Sequence, residues 1–181
     1  IAAAHRRVVD LVNANGGVLG REVDLTQENS ETNPETAIRA ARKLVDADRV
    51  LAVIGTWSSS VTLGIMPLCQ DADVLQMCTS SASEIPGEDN KNLVFDFQPL
   101  SPAWGKAIAS LAVERGYRSF AIMALNNDFT ASMVASFARE LETRGGEIVN
   151  EPFYYNGGQS SYRSEVTQLL EGDPEAVFIP A

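Results

Sequence analysis

The chain has few of the residues from which most reactive sites are built. Its 181 residues include one histidine, His5, and two cysteines, Cys69 and Cys78. A Cys/His zinc site therefore lacks its ligands, and a disulfide framework lacks its density. Cys69 shares a helical face with Val61, Ile65 and Leu68, and Cys78 ends an apolar stretch, so both read as small buried hydrophobes. Basic residues are outnumbered 14 to 24 by acidic ones, for a net charge of −10. That balance argues against nucleic acid or an anionic membrane surface as a partner, and its plain meaning is an acidic solvated exterior. No apolar run approaches the ~18 residues of a membrane span. The opening Ile1-Ala-Ala-Ala-His-Arg-Arg7 lacks the basic-then-apolar order of a signal peptide.

Enzyme and cofactor signatures are missing as well. Gly16-Gly-Val-Leu-Gly20 precedes a strand rather than following one and fits a helix-ending turn, not a dinucleotide fingerprint. There is no G-x-x-x-x-G-K-[ST] and no G-x-S-x-G, and His5, read as a surface residue, lies far in sequence from any serine cluster. The loop carboxylates Asp71, Asp73, Glu84 and Asp89 are scattered, without the pairing that acid–base work needs. The expectation is a protein that binds rather than transforms, with no cofactor.

What is present is alternation. Helical patterns over about 1–15, 34–47, 59–71, 101–115, a stretch marked by Met133, Phe137 and Leu141, and 161–171 interleave with strand patterns. The strands are read at 21–26, 50–54, 74–78, 93–97, 119–124, 147–155 and 176–179. Ala37, Ala40, Ala41, Leu44 and Val45 line one helical stripe. Val50-Leu-Ala-Val-Ile54 is apolar without alternation, the mark of a parallel strand covered on both faces. The fold class is α/β with parallel sheets. Pro99 and Pro102 bracket a break, so two units are expected, 1–98 and 99–181. The chain opens in a helix with no strand before it, and its second unit stops at Pro180-Ala181 with too few strands for a finished domain, which reads as a fragment truncated at both ends.

Loops after strands gather on one edge of a parallel sheet, where open α/β folds hold ligands. Two such loops are rich in hydroxyls: Gly55-Thr-Trp-Ser-Ser-Ser60 and Thr79-Ser-Ser-Ala-Ser-Glu84. Hydroxyls and free N–H groups at a helix start suit a carboxylate, although serines there also serve as N-caps. Two such loops side by side favour the anion site. Trp57 reads either as a ligand-packing aromatic or as a lid over the helix start. Phe129, after Asn126-Asn-Asp128, reads as a contact for something apolar or as packing under the next helix.

The run Asn13-Ala-Asn-Gly-Gly-Val-Leu-Gly-Arg-Glu-Val23, Asn33-Pro-Glu-Thr-Ala37 with Leu44-Val45, and Val53-Ile-Gly55 with Ser59 resembles type I periplasmic substrate-binding proteins. The nearest branch in kind is the leucine/isoleucine/valine-binding proteins of ABC transporters. The resemblance implies two flavodoxin-like lobes closing on a small ligand, here lacking the first strand and the C-terminal half. It places Ser59 on the ligand's carboxylate, with Trp57 and Ser58 beside the ligand's side chain. It also places Ser81, Ala82 and Ser83 on its charged ends, and Phe129 where a second-lobe tyrosine stacks. It further implies a membrane permease as partner and a periplasmic or extracellular location, with a lipid anchor on the absent N-terminus as one form. Trp57 would reshape an aliphatic pocket, pointing to aromatic acids or amides beside amino acids. A cytoplasmic ligand-sensing regulatory domain of the same fold is the alternative.

Overall fold

Asn33 sets the start of the helix that fixes the first half of the molecule. In the computed structural model, which describes residues 2–181, its Oδ1 accepts the Thr36 N–H at 3.0 Å while Pro34 occupies the first turn. The helix α2 (Pro34–Arg42) then turns Ala37 and Ala41 inward, and a π-helical turn at Lys43–Ala47 continues the stripe through Val45. These side chains pack on Val53 of β1 (Ala52–Thr56) and on Val61, Ile65 and Cys69 of α3 (Ser59–Asp71). Strands β2 (Leu75–Cys78) and β3 (Val94–Asp96) complete a parallel sheet in the order β1-β2-β3, and a one-turn helix α4 (Ile85–Glu88) lies between them in sequence.

Side chains alternate across a strand, so the register sorts the faces. Val53, Gln76 and Val94 form one row, and Ile54, Met77 and Phe95 the next. Val53 is buried but Ile54 is 59% exposed and Phe95 49% exposed. The reading of β1 as covered on both faces is therefore corrected: α2 and α3 cover one face, and the other is open among the described residues. Helix α1 (Ala2–Ala14) places no residue in the core, and Val8 and Leu11 remain exposed.

The stretch 21–26, expected as a strand, forms no ladder beyond an isolated bridge between Val18 and Arg21. Among the described residues no neighbouring strand meets its backbone. Instead Asn13 on α1 substitutes for one: its Oδ1 accepts the Val23 N–H at 2.8 Å and its Nδ2 donates to the Val23 carbonyl at 2.9 Å.

The second sheet is organised around β4 (Ser119–Leu125), whose burial is nearly continuous. Strands β5 (Glu147–Ile148), β6 (Phe153–Tyr155) and β7 (Ala176–Phe178) all pair with it in parallel. The single strand expected over 147–155 is split at 149–152, where Pro152 has no N–H to give a ladder. Helices α5 (Ser101–Glu114) and α6 (Asp128–Thr143) cover one face, with Phe137 stacked on Phe178 at 4.2 Å and edge-on to Phe120 at 5.3 Å. Leu169 of α7 (Arg163–Leu169) meets Ala121 and Met123 on the other. Here both faces are covered, as a parallel strand requires.

Gly105 lets α5 and α6 approach. A Cβ there would lie 2.3 Å from the Met133 carbonyl oxygen and 2.1 Å from Ser136 Oγ. Because one obstacle is backbone, the helices themselves must separate. Gly105→Ala is expected to lower unfolding free energy by about 2 kcal/mol or more, despite alanine's better helix propensity, as read from urea denaturation. A neutral or stabilising result would contradict the close packing.

Candidate functional site

Gly55 makes the turn that carries the first serine loop. It has φ of +100°, and the β1–β2 register slips between Ile54 and Thr56, a bulge only glycine adopts without strain. A Cβ at this position would come within 2.5 Å of His5 Cε1. His5 is thus half-buried against the turn rather than out on the surface, because the fold returns α1 to the end of β1.

The two serine loops meet at the carboxyl edge of the first sheet. The Thr79 N–H donates to the Thr56 carbonyl at 3.1 Å. Ser80 Oγ lies 3.2 Å from the carbonyl oxygens of both Thr56 and Trp57 and bonds the Thr62 hydroxyl. Beneath them Gln76 Nε2 donates to the Thr62 carbonyl at 3.1 Å. Ser59 opens α3 and is 3% exposed; its Oγ accepts the N–H groups of Ser81 at 3.2 Å and Ala82 at 3.1 Å. Accepting two bonds leaves its hydroxyl proton free to donate.

Capping does not account for these serines. Ser58 holds the N-cap position in extended conformation, yet its side chain makes no cap hydrogen bond, and Ser59 ties the loops to each other. The expected residues fall into two sets. Ser59, Ser81 and Ala82 are brought together and buried. Trp57, 66% exposed, with the half-buried Ser58 and exposed Ser83, lies at the surface of the same loops.

The second half of the chain reaches this edge through the start of α6. Asn127 caps that helix, accepting the Thr130 N–H at 2.9 Å. Asp128 Oδ2 accepts the Ser60 hydroxyl at 2.5 Å, a contact across 68 residues of sequence. Phe129 is half-buried and sits edge-on to Trp104 at 5.8 Å, so its ring is engaged within its own half. Asp128 escaped the sequence reading because Asn-Asn-Asp before a helix looks like a cap alone.

Thr56, Cys78 and Asp96 are register partners in one row at the same edge. Asp96 Oδ1 accepts the Gln98 N–H at 3.3 Å, while Oδ2 is buried without a partner. Burial pushes the Asp96 acid up, opposed by the N–H groups of Gln98 and Phe97. Burial also raises the Cys78 thiol, and takes the Cys69 thiol to about 11. Both are free cysteines, held as neutral thiols and thus poor nucleophiles. Among the described residues no group of three or more His, Cys, Asp or Glu could hold a metal, and no helix is long and apolar enough to cross a membrane.

A family profile described as periplasmic binding protein matches residues 1–180. The chain belongs to that family. A periplasmic binding protein from Burkholderia mallei superposes with a TM-score of 0.86 at 14% identity, covering 96% of this chain and 47% of that one. The leucine-binding protein LivK of Thermotoga maritima gives 0.83 at 21% identity, covering 94% and 49%. These likenesses show the fold, the parallel-sheet lobes of type I periplasmic binding proteins. In sequence, the chain is 26% identical over 188 residues to the substrate-binding protein BasB of the Halobacterium salinarum chemotactic signal transduction system, covering 98% of this chain and 45% of BasB. It is also 29% identical over 72 residues to a Pseudomonas aeruginosa amino acid binding protein. The chain spans less than half the length of the curated relatives it matches.

In this family member a concavity of about 460 Å³ lies beside the later turns of α3 and is lined by Leu63, Met66, Pro67, Gln70, Glu84 and Lys91 among others. It is open, and the buried Gln70 amide in its wall is already bonded to the Glu88 carbonyl and the Asn90 N–H. The serine edge, where polar groups converge from three strands, is the better candidate.

Because the acid form of Asp96 is favoured on folding, stability is lost as pH rises from the ordinary carboxylate value, near 3.8, through the raised one. Asp96→Asn is expected to melt higher than the parent at pH 7, with the difference shrinking as pH falls through the raised value toward about 4 and levelling off below it. Thermal melts across that range test it; a pH-independent difference would contradict the assignment.

Proposed function

We propose that this chain is the lobe-forming part of a solute-binding protein of an ABC transporter. In this reading residues 1–98 and 99–181 belong to two lobes that close on a small carboxylate-bearing ligand and present it to a membrane permease. The protein would work in the periplasm or outside the cell. One observation carries the reading: in a member of this family, two hydroxyl-rich loops join at the carboxyl edge of one sheet, facing the start of α6 from the other. Ser59 is assigned to the ligand's carboxylate, with Trp57, Ser58, Ser81, Ala82, Ser83 and Phe129 around it. Ser81 and Ala82 act on this reading by seating Ser59, since it occupies their N–H groups.

The ligand class is supported by relatives of the same fold. A solute-binding protein of an ABC transporter from Rhodopseudomonas palustris, TM-score 0.83 at 18% identity, carries 3,4-dihydroxybenzoic acid. Another from that species carries benzoate, and LivK is a leucine-binding protein. The exposed Trp57 favours a flat ligand, because a large aromatic face gains most from stacking. A second reading, ligand sensing for signal transduction, has the match to BasB behind it.

A thermal-shift screen of amino acids, amides and aromatic acids on the full-length protein tests the reading, since a ligand stabilises by RT ln(1 + [L]/Kd). At 100 Kd the gain is about 2.7 kcal/mol, a rise of several degrees. Ser59→Ala should weaken binding by about 1–3 kcal/mol and also lower the melting temperature, because two buried N–H groups lose their acceptor. Trp57→Ala should weaken an aromatic acid by about 1 kcal/mol more than leucine. A screen without any shift, or turnover of a compound that binds, would overturn the proposal.

A further inference from the structure

The starts of α3 and α6 meet at the crevice with opposite chemistry. At α3 the Ser58 side chain makes no cap hydrogen bond, so the donors of the first turn are left to another acceptor. Ser59 Oγ accepts the N–H groups of Ser81 and Ala82, and its own proton stays unused although the residue is buried. Together these donors suit an anion. At α6 the order is reversed. Asn127 accepts the Thr130 N–H, and Asp128 adds a carboxylate to the first turn. Its Oδ2 accepts the Ser60 hydroxyl at 2.5 Å, while its Oδ1 accepts no hydrogen bond among the described residues. None of the ion pairs among those residues includes it. One wall of the crevice thus offers unused donors, and the other an unpaired negative charge.

We propose that Asp128 decides the charge type of the ligand: the site selects a zwitterion, an α-amino acid, whose carboxylate takes the start of α3 while its ammonium group pairs with Asp128. The proposal rests on the solute-binding reading and narrows its ligand class. Ser59 and Ser60 are chain neighbours, about 3.8 Å apart at Cα, and Asp128 is bonded to the second of them. An acid seated at Ser59 therefore lies close to the Asp128 charge, where like charges repel strongly in a partly desolvated crevice. A benzoate-type ligand carries nothing to offset that repulsion. An ammonium group on the carbon beside the carboxylate does, through an N⁺–H···O⁻ bond of the stronger, charge-assisted kind. A contact of 2.5 Å leaves no room for an atom between Ser60 and Oδ2, so the ammonium meets Oδ1, the oxygen without a partner. Ser60 acts here as a positioning residue, fixing where the charge stands.

Matched ligands isolate the ammonium group: phenylalanine against 3-phenylpropionate, and leucine against 4-methylpentanoate. Calorimetry on the full-length protein is expected to show the amino acid of a pair binding at least about 10-fold more tightly than its deaminated partner, some 1.4 kcal/mol. Asp128→Asn keeps the shape and an acceptor but not the charge. It should weaken the amino acid and strengthen the deaminated acid, bringing the two within about 3-fold, some 0.7 kcal/mol. Tighter binding of the deaminated acid is a gain that damage to the fold does not produce, and circular-dichroism melts check that each variant folds. Ser60→Ala keeps the charge and should retain a preference above about 3-fold; its complete loss would overturn the charge-based role. So would deaminated acids that match the amino acids in the parent, or a preference unchanged in Asp128→Asn. Binding of benzoate with neither amino acid would overturn the zwitterion and leave the solute-binding reading standing. Binding of none of these compounds, nor of any other small carboxylate, would overturn both.

Discussion

Two backbone N–H groups, from Ser81 and Ala82, converge on Ser59 Oγ, and the placement of both hydroxyl-rich loops depends on that convergence. Strand pairing ends at Cys78, so the later part of the loop after β2 is tied to the first turn of α3 by these two bonds. The bond is buried, so water does not compete for it and losing it strands two donors. Ser80 repeats the device one residue earlier, from the second loop toward the first, by reaching the Thr56 and Trp57 carbonyls. The edge of the sheet is thereby one rigid object rather than two mobile loops.

Rigidity on one side makes the other side informative. The second half meets this edge through α5, whose first N–H bonds the Ser81 carbonyl, and through Asp128 at the head of α6. Those two helices cross closely at Gly105, so the start of α6 is fixed by the core of Phe120, Phe137 and Phe178. Aromatic packing more than 10 Å of helix away, by the 1.5 Å rise per residue, thus sets where a carboxylate stands in the crevice. On the proposed solute-binding reading, a site divided between two such bodies could open and close without deforming either.

Much of this was legible in the residues. The helix read at 59–71 and the buried strand read at 119–124, observed as Ser119–Leu125, agree with the structure because period and composition match their tertiary surroundings there. The pairing of the serine loops followed from parallel-sheet geometry alone. Other parts were out of reach for identifiable reasons. The segment 21–26 alternates like a strand, but alternation reports a half-buried extended chain and says nothing of a pairing partner, which Asn13 supplies by side chain. The exposure of Ile54 depends on what covers a face, and no local pattern encodes that. His5 lies against Gly55 and Asp128 on Ser60 through contacts spanning tens of residues.

The sequence by itself determined the alternating elements, the glycine at the bulge, the capping residues and the hydroxyl content of two loops. All are local properties, fixed by backbone sterics, periodicity and side-chain chemistry within a few residues. Only the tertiary structure decided which serines face inward to hold the loops and which stay accessible. It also decided that a carboxylate from the second half would meet Ser60. Those outcomes depend on how separate elements pack, and the same Ser-Ser-Ser sequence carries no record of which hydroxyl will be buried.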